Sequence, residues 1–75
     1  MRVEKVLDAK GLACPMPIVK TKKAINEIES GQVLEVHTTD KGAKSDLTAW
    51  AKSTGHELLD YREENDVLIF LIKKG

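Results

Sequence analysis

Residues 11–24 read GLACPMPIVKTKKA. The stretch carries the only cysteine of the chain, Cys14, and sets Pro15 and Pro17 directly ahead of residues with helical spacing. Proline breaks a helix from inside. At the first helical position, however, its missing N–H costs no bond and its fixed φ suits the turn. The pair therefore predicts a helix start, with Cys14 as N-cap and Pro15 as the first helical residue. Pro17 removes a second amide, so the Met16 N–H is left to face the cap, with the Ile18 N–H next in line. Ile18, Thr21, Ala24, Ile25 and Ile28 fall on one face. They carry the predicted helix from Pro15 to about Ser30, with Gly31 as its C-cap. Lys20, Lys23 and Glu27 fall on the opposite side.

Outward from this helix the chain alternates strand and helix. Val3 to Asp8 reads as a short strand, followed by a Lys10-Gly11 turn. Gln32 to Thr39 reads as a second strand, in which Leu34, Val36 and Thr38 alternate with Val33, Glu35 and His37. Asp40-Lys41-Gly42 is a turn. Ala43, Leu47, Trp50, Ala51 and Thr54 then mark a second amphipathic helix that ends at Gly55. His56 to Arg62 is a third strand, Glu63 to Asp66 a hairpin turn, and Val67 to Ile72 a fourth strand. The run VLIFLI is apolar on both faces, which places that strand inside the sheet, since edge strands are usually blunted with charge. The order is βαβαββ, an α/β arrangement with parallel neighbours. Two helices can cover only one face of a four-stranded sheet. The apolar residues on the other face are met by long side chains, by a partner or by a second copy of the chain.

Composition limits the rest. Seventy-five residues read as one domain, residues 1–75. A chain of this length buries only about 60% of its unfolded surface, which leaves little room for a deep active-site pocket. Twelve basic residues balance twelve acidic ones, whereas a general nucleic-acid binder carries a basic excess. The N-terminal residues lack the apolar run of a signal peptide, and no stretch approaches the ~20 apolar residues of a membrane span. A lone cysteine makes no internal disulfide. The expected setting is the reducing cytoplasm.

Cys14 has two readings. A thiol at a helix N-terminus feels the positive end of the macrodipole, and Lys20, Lys22 and Lys23 add a mildly positive field. Stiffened by two prolines at an exposed bend, it fits a nucleophilic thiolate. It fits equally a small buried apolar residue at an ordinary proline helix start.

The surrounding residues weigh on this choice. Cys14-Pro15-Met16-Pro17 follows Asp8 and Gly11. Further along stand Gly31, Thr39-Asp40, Gly55-His56 and a closing Lys73-Lys74-Gly75. Across nearly the whole chain this pattern resembles the TusA/SirA-like family of sulfur-carrier proteins. The resemblance implies a two-layer α+β sandwich: a mixed four-stranded sheet with two helices on one face and the last strand inside. It implies that Cys14 carries sulfane sulfur as a persulfide, taken from a protein donor and passed to a protein acceptor. The donor would be a cysteine desulfurase, a rhodanese-like protein or a thiosulfate permease. Pro15, Met16 and Pro17 match the family motif, and Asp8 and Gly11 its preceding turn. No cofactor or metal is implied. Met16 stands where carriers for tRNA thiolation often have an acidic residue, and Lys41-Gly42 where proline is common. The route, tRNA thiolation or thiosulfate and sulfur assimilation, is therefore left open.

The remaining candidates are weaker. Met16 and Val19, off the core face, and Lys20 and Lys23 form a candidate docking surface, or simply a solvated helix face. Asp40 sits at a strand end before a helix, where both site residues and plain turn residues occur. His37 should point away from the helices, and His56 follows a helix end. Neither makes a compact zinc pattern with Cys14. Trp50 reads as core. Lys20, Lys22, Lys23, Lys41 and Lys44 carry the alternative of a non-catalytic, RNA-binding module with a structural Cys14. Trp50, Tyr61 and Phe70 are too scattered to serve as base-stacking platforms.

Overall fold

In the computed structural model, which describes residues 2–75, β1 (Lys5–Ala9) lies parallel to β2 (Val33–Thr38), with Lys5 opposite Leu34 and Ala9 opposite Thr38. Met1, the first residue of the expected domain, lies outside the described residues. Parallel neighbours need a crossover, and α1 (Met16–Ile25) supplies it. From β2 the chain passes through α2 (Ala43–Thr54) to β3 (Glu57–Glu64), then turns back into β4 (Val67–Lys73). The sheet order is β1-β2-β4-β3, and β4 runs antiparallel to both neighbours. The expected βαβαββ order and the inner position of the last strand are both present. β3 does not adjoin β2, because β4 is inserted between them.

The alternating pattern explains the core. Leu34, Val36 and Thr38 of β2 and Leu68, Phe70 and Ile72 of β4 are buried on the helix-bearing face. Against them pack Ala24, Ile25 and Ile28, and from α2 Ala43, Leu47, Trp50 and Ala51. Two hydroxyls are buried here and both are bonded. Thr21 Oγ1 donates to the Pro17 carbonyl at 2.8 Å, and Thr38 Oγ1 accepts the Asp40 N–H at 3.1 Å. On the opposite face β4 presents Val67, Ile69 and Leu71 half-buried, and Val6 is 57% exposed.

Several boundaries differ from expectation for local reasons. α1 ends at Ile25, not near Ser30, and Asn26 is its C-cap. The Glu27 and Ile28 amides make tighter bonds to Ala24 and Ile25, at 3.0 and 3.4 Å. Beyond them the backbone is drawn to the C-terminus, with the Gly31 N–H on the Lys74 carbonyl and the Lys74 N–H on the Gln32 carbonyl. Ile28 thus reaches the core from a turn. Gly31 takes φ +87° where the chain swings into β2, not at a helix end. β1 begins at Lys5 and ends at Ala9, against the expected Val3–Asp8, and β2 is one residue shorter at each end than the expected Gln32–Thr39. β3 runs to Glu64, so the turn is two residues, Asn65 and Asp66, at φ 51° and 67°. Two positive φ values match the right-handed twist of a tight hairpin, and Asn and Asp tolerate them. A bulge between Leu58 and Asp60 shifts the register, so Leu58 meets Ile72 while Tyr61 still meets Phe70. Thr54 is exposed, its hydroxyl on the Trp50 carbonyl at 2.6 Å, and is no part of the apolar face. Gly55 ends α2 as expected, in the left-handed region at φ 80°.

The ion pair of Lys5 and Glu27 ties β1 to the turn after α1 and holds the Glu27 carboxyl below its ordinary 4.5. A depressed folded-state value means that the contribution is present above the usual carboxylate range and lost as pH falls through it. Replacing Glu27 with Gln should therefore lower stability slightly at pH 7 and not at pH 3, as read by thermal melts at the two values. In the core, Leu34→Ala should cost about 2–5 kcal/mol in urea unfolding. Val6→Ala on the open face should stay within about 0.5 kcal/mol.

Candidate functional site at the paired helix starts

The parallel pairing brings the two segments that follow β1 and β2 side by side. The first carries Cys14 and is stitched at both ends. Asp8 Oδ1 accepts the Lys10 N–H at 3.0 Å, which makes the turn. Gly11 takes φ +79°, and its N–H donates to Thr39 Oγ1 at 2.9 Å, tying this loop to the segment after β2. Asp8 and Gly11 thus shape the loop at a distance from the sulfur.

The helix start differs from the expected cap. Pro15, not Cys14, is the N-cap, and the Cys14–Pro15 peptide is cis. The Met16 N–H donates to the Ala13 carbonyl at 2.9 Å and so does not face the sulfur. The first helical bond runs from the Val19 N–H to the Pro15 carbonyl at 3.1 Å. Pro17 is buried, and its carbonyl is held by Thr21. Cys14 is exposed, against its reading as a buried apolar residue. Met16 and Val19 are 39% and 47% exposed, and Lys20 and Lys23 are exposed further along α1.

Beside the sulfur a narrow cleft separates the starts of the two helices. Cys14, Pro15, Pro17 and Ile18 line one side, and Asp40, Ala43, Asp46 and Leu47 the other. Asp40 Oδ1 accepts the Gly42 N–H at 3.1 Å and its carbonyl accepts the Ala43 N–H at 3.0 Å, so it shapes the turn into α2 as well as lining the cleft. Asp46 Oδ2 lies 3.9 Å from Cys14 Sγ, the long end of an S–H contact to oxygen. Two carboxylates and no basic side chain line the cleft, and Lys20, Lys22 and Lys23 stand exposed on α1 outside it. Helical spacing explains this. Lys41 and Lys44 line a groove on the outer side of α2 with Lys52, and Lys44 Nζ stands 4.6 Å above the Tyr61 ring.

Asp46 is the residue that sequence reading missed. An acid in the first turn of a helix reads simply as a partner for the helix dipole. Only the pairing of the two helix starts reveals its neighbour. The histidines lie elsewhere. His37 Nε2 pairs with Glu35 on the open sheet face, and His56 Nδ1 accepts the Gly75 N–H at 3.0 Å while its ring packs on Trp50. Among the described residues no group of His, Cys, Asp and Glu is placed to hold a metal, and no helix is long and apolar enough to cross a membrane.

The strain at Gly11 can be measured. A Cβ there meets no neighbouring atom, so Gly11→Ala should cost about 1–2 kcal/mol from the left-handed backbone alone. Gly11→Asn should cost less. Urea unfolding gives the difference, and amide exchange in residues 11–14 should rise with the Ala variant.

Comparison with known proteins assigns the chain to a family. The family described as sulfurtransferase TusA matches residues 5–74. YrkI of Bacillus subtilis (strain 168) is 72% identical over 75 residues, covering all of both chains. The sulfur carrier protein TusA of Allochromatium vinosum is 52% identical over 69 residues, 92% of this chain and 91% of that one. The crystal structure of a SirA-like protein from Desulfitobacterium hafniense superposes with a TM-score of 0.83 at 32% identity, covering 95% of this chain and 97% of that one. From the first strand to the last, the chain belongs to the TusA family of sulfurtransferases.

Proposed function

We propose that the protein is a single-domain cytoplasmic sulfur carrier that holds sulfane sulfur on Cys14 as a persulfide. The observation that carries this reading is an exposed, solitary thiol in a Cys-Pro-x-Pro segment, set at the joined starts of two helices. The Cys14 thiolate attacks the outer sulfur of a donor persulfide. The Cys14–sulfur bond forms, the donor's sulfur–sulfur bond breaks, and the donor leaves as its thiolate. An acceptor thiolate then takes the outer sulfur in the same way and returns Cys14 to its starting form. No net oxidation occurs in either step.

Three features favour this chemistry. With one cysteine, no second thiol of the chain can attack the persulfide, release sulfide and leave an internal disulfide. The cleft is too narrow to enclose a substrate, so donor and acceptor proteins complete the site in turn. Exposed Met16 and Val19, with Lys20 and Lys23 beyond, offer those partners an apolar patch with a basic margin next to the sulfur. A cysteine desulfurase, a rhodanese-like protein or a thiosulfate permease would fit as donor.

Incubation with a persulfide donor, followed by intact mass measurement, tests the reading. The wild-type chain should gain one sulfur atom that a reducing thiol removes, and Cys14→Ser should gain none. No gain in the wild type, or an equal gain in the variant, overturns the proposal.

A further inference from the structure

We propose that Asp46 is a positioning residue that turns the loaded sulfur of Cys14 away from α2 and out to solvent. The inference rests on the persulfide reading above. Two independent observations carry it. The first is charge. Asp46 Oδ2 is 3.9 Å from Sγ and makes no ion pair among the described residues. On the α2 side the cleft also holds Asp40, whose Oδ1 is engaged by the Gly42 N–H; on the α1 side Pro15, Pro17 and Ile18 bring no charge. Lys41 and Lys44 line the groove outside α2. The second is space, because the cleft has no room for even a water molecule.

An unloaded thiol suits this position, since its S–H points a hydrogen at a carboxylate. A persulfide does not. The neighbouring sulfur makes it a stronger acid than its parent thiol, so it loses the hydrogen that Asp46 would accept. Its charge sits on an added atom that the cleft cannot hold. Like charges about 4 Å apart in a water-like medium disfavour each other by a factor of about five. Loading therefore expels the sulfur from the cleft and presents it to an acceptor, and unloading lets the thiol fall back beside α2. The carrier distinguishes its two states by where the side chain points.

Alkylation of the unloaded full-length chain tests the charge without any sulfur. Iodoacetate is anionic and iodoacetamide neutral. Their rate ratio at one pH is independent of how much thiolate is present. The ratio of iodoacetate to iodoacetamide rates should rise about fivefold in Asp46→Asn. In Asp46→Glu, which keeps the charge, it should stay near wild type. A ratio unchanged in Asp46→Asn overturns the proposal.

Nuclear Overhauser contacts test the movement. Cys14 and Asp46 side-chain protons should be in contact in the unloaded chain and lose that contact on loading from a polysulfide; retention of the contact overturns the proposal. Normal loading with an unchanged ratio removes Asp46 from the account and leaves the carrier function standing. Failure to load removes both.

Discussion

The parallel register of β1 on β2 is the constraint on which the site depends. With Ala9 opposite Thr38, both strands end at the same level, and the two following segments leave the sheet as neighbours. Each leads into a helix on the same face, so the starts of α1 and α2 converge. Antiparallel pairing would have put these two segments at opposite ends of the sheet. Ala9 and Thr38 are both fully buried, so the strand ends are fixed in the core just below the exposed thiol. The bond from the Gly11 amide to Thr39 Oγ1 then joins the two segments directly.

The proposed role needs a thiol that a partner can reach on a backbone that is held in place. The structure separates these requirements. Reach comes from the exposed bend at Cys14. Fixity comes from what lies below it: Pro17 buried, its carbonyl held by the buried Thr21 hydroxyl, and Ala24 and Ile25 packed on the sheet. A helix of ten residues has little stability by itself, so this anchoring is what holds its first turn in place. The same economy limits the pocket. The fully buried large apolar side chains, Phe70, Leu34, Leu47, Ile72 and Val36, lie between the sheet and the two helices, and what remains near Cys14 is a slit between the helix starts.

Much of this could be read from residue spacing. Alternation in β2 set Leu34, Val36 and Thr38 on one face, and the 3.6 period of the helices grouped Thr21, Ala24 and Ile25, and Leu47 and Trp50; all are buried, while Ile18 of the same helix face is partly buried. The apolar run Val67–Ile72 placed β4 inside the sheet, where it lies between β2 and β3. The details of the site were less legible because they depend on contacts between segments distant in sequence. Local capping rules assigned the Met16 amide to the sulfur, but the Ala13 carbonyl takes it. Helical spacing carried α1 too far, because it could not register the pull of Lys74 on Gly31 and Gln32. Asp46 stands 32 positions from Cys14, and no local pattern links the two.

The central claim is that Cys14 passes sulfur on as well as holding it. The most direct measurement loads the chain with radiolabelled sulfane sulfur, removes the donor, and adds a reduced protein thiol. The account predicts that the label moves to the acceptor thiol as the free Cys14 thiol reappears in equal amount. Label that stays on the carrier, or that leaves only as free sulfide, would contradict it.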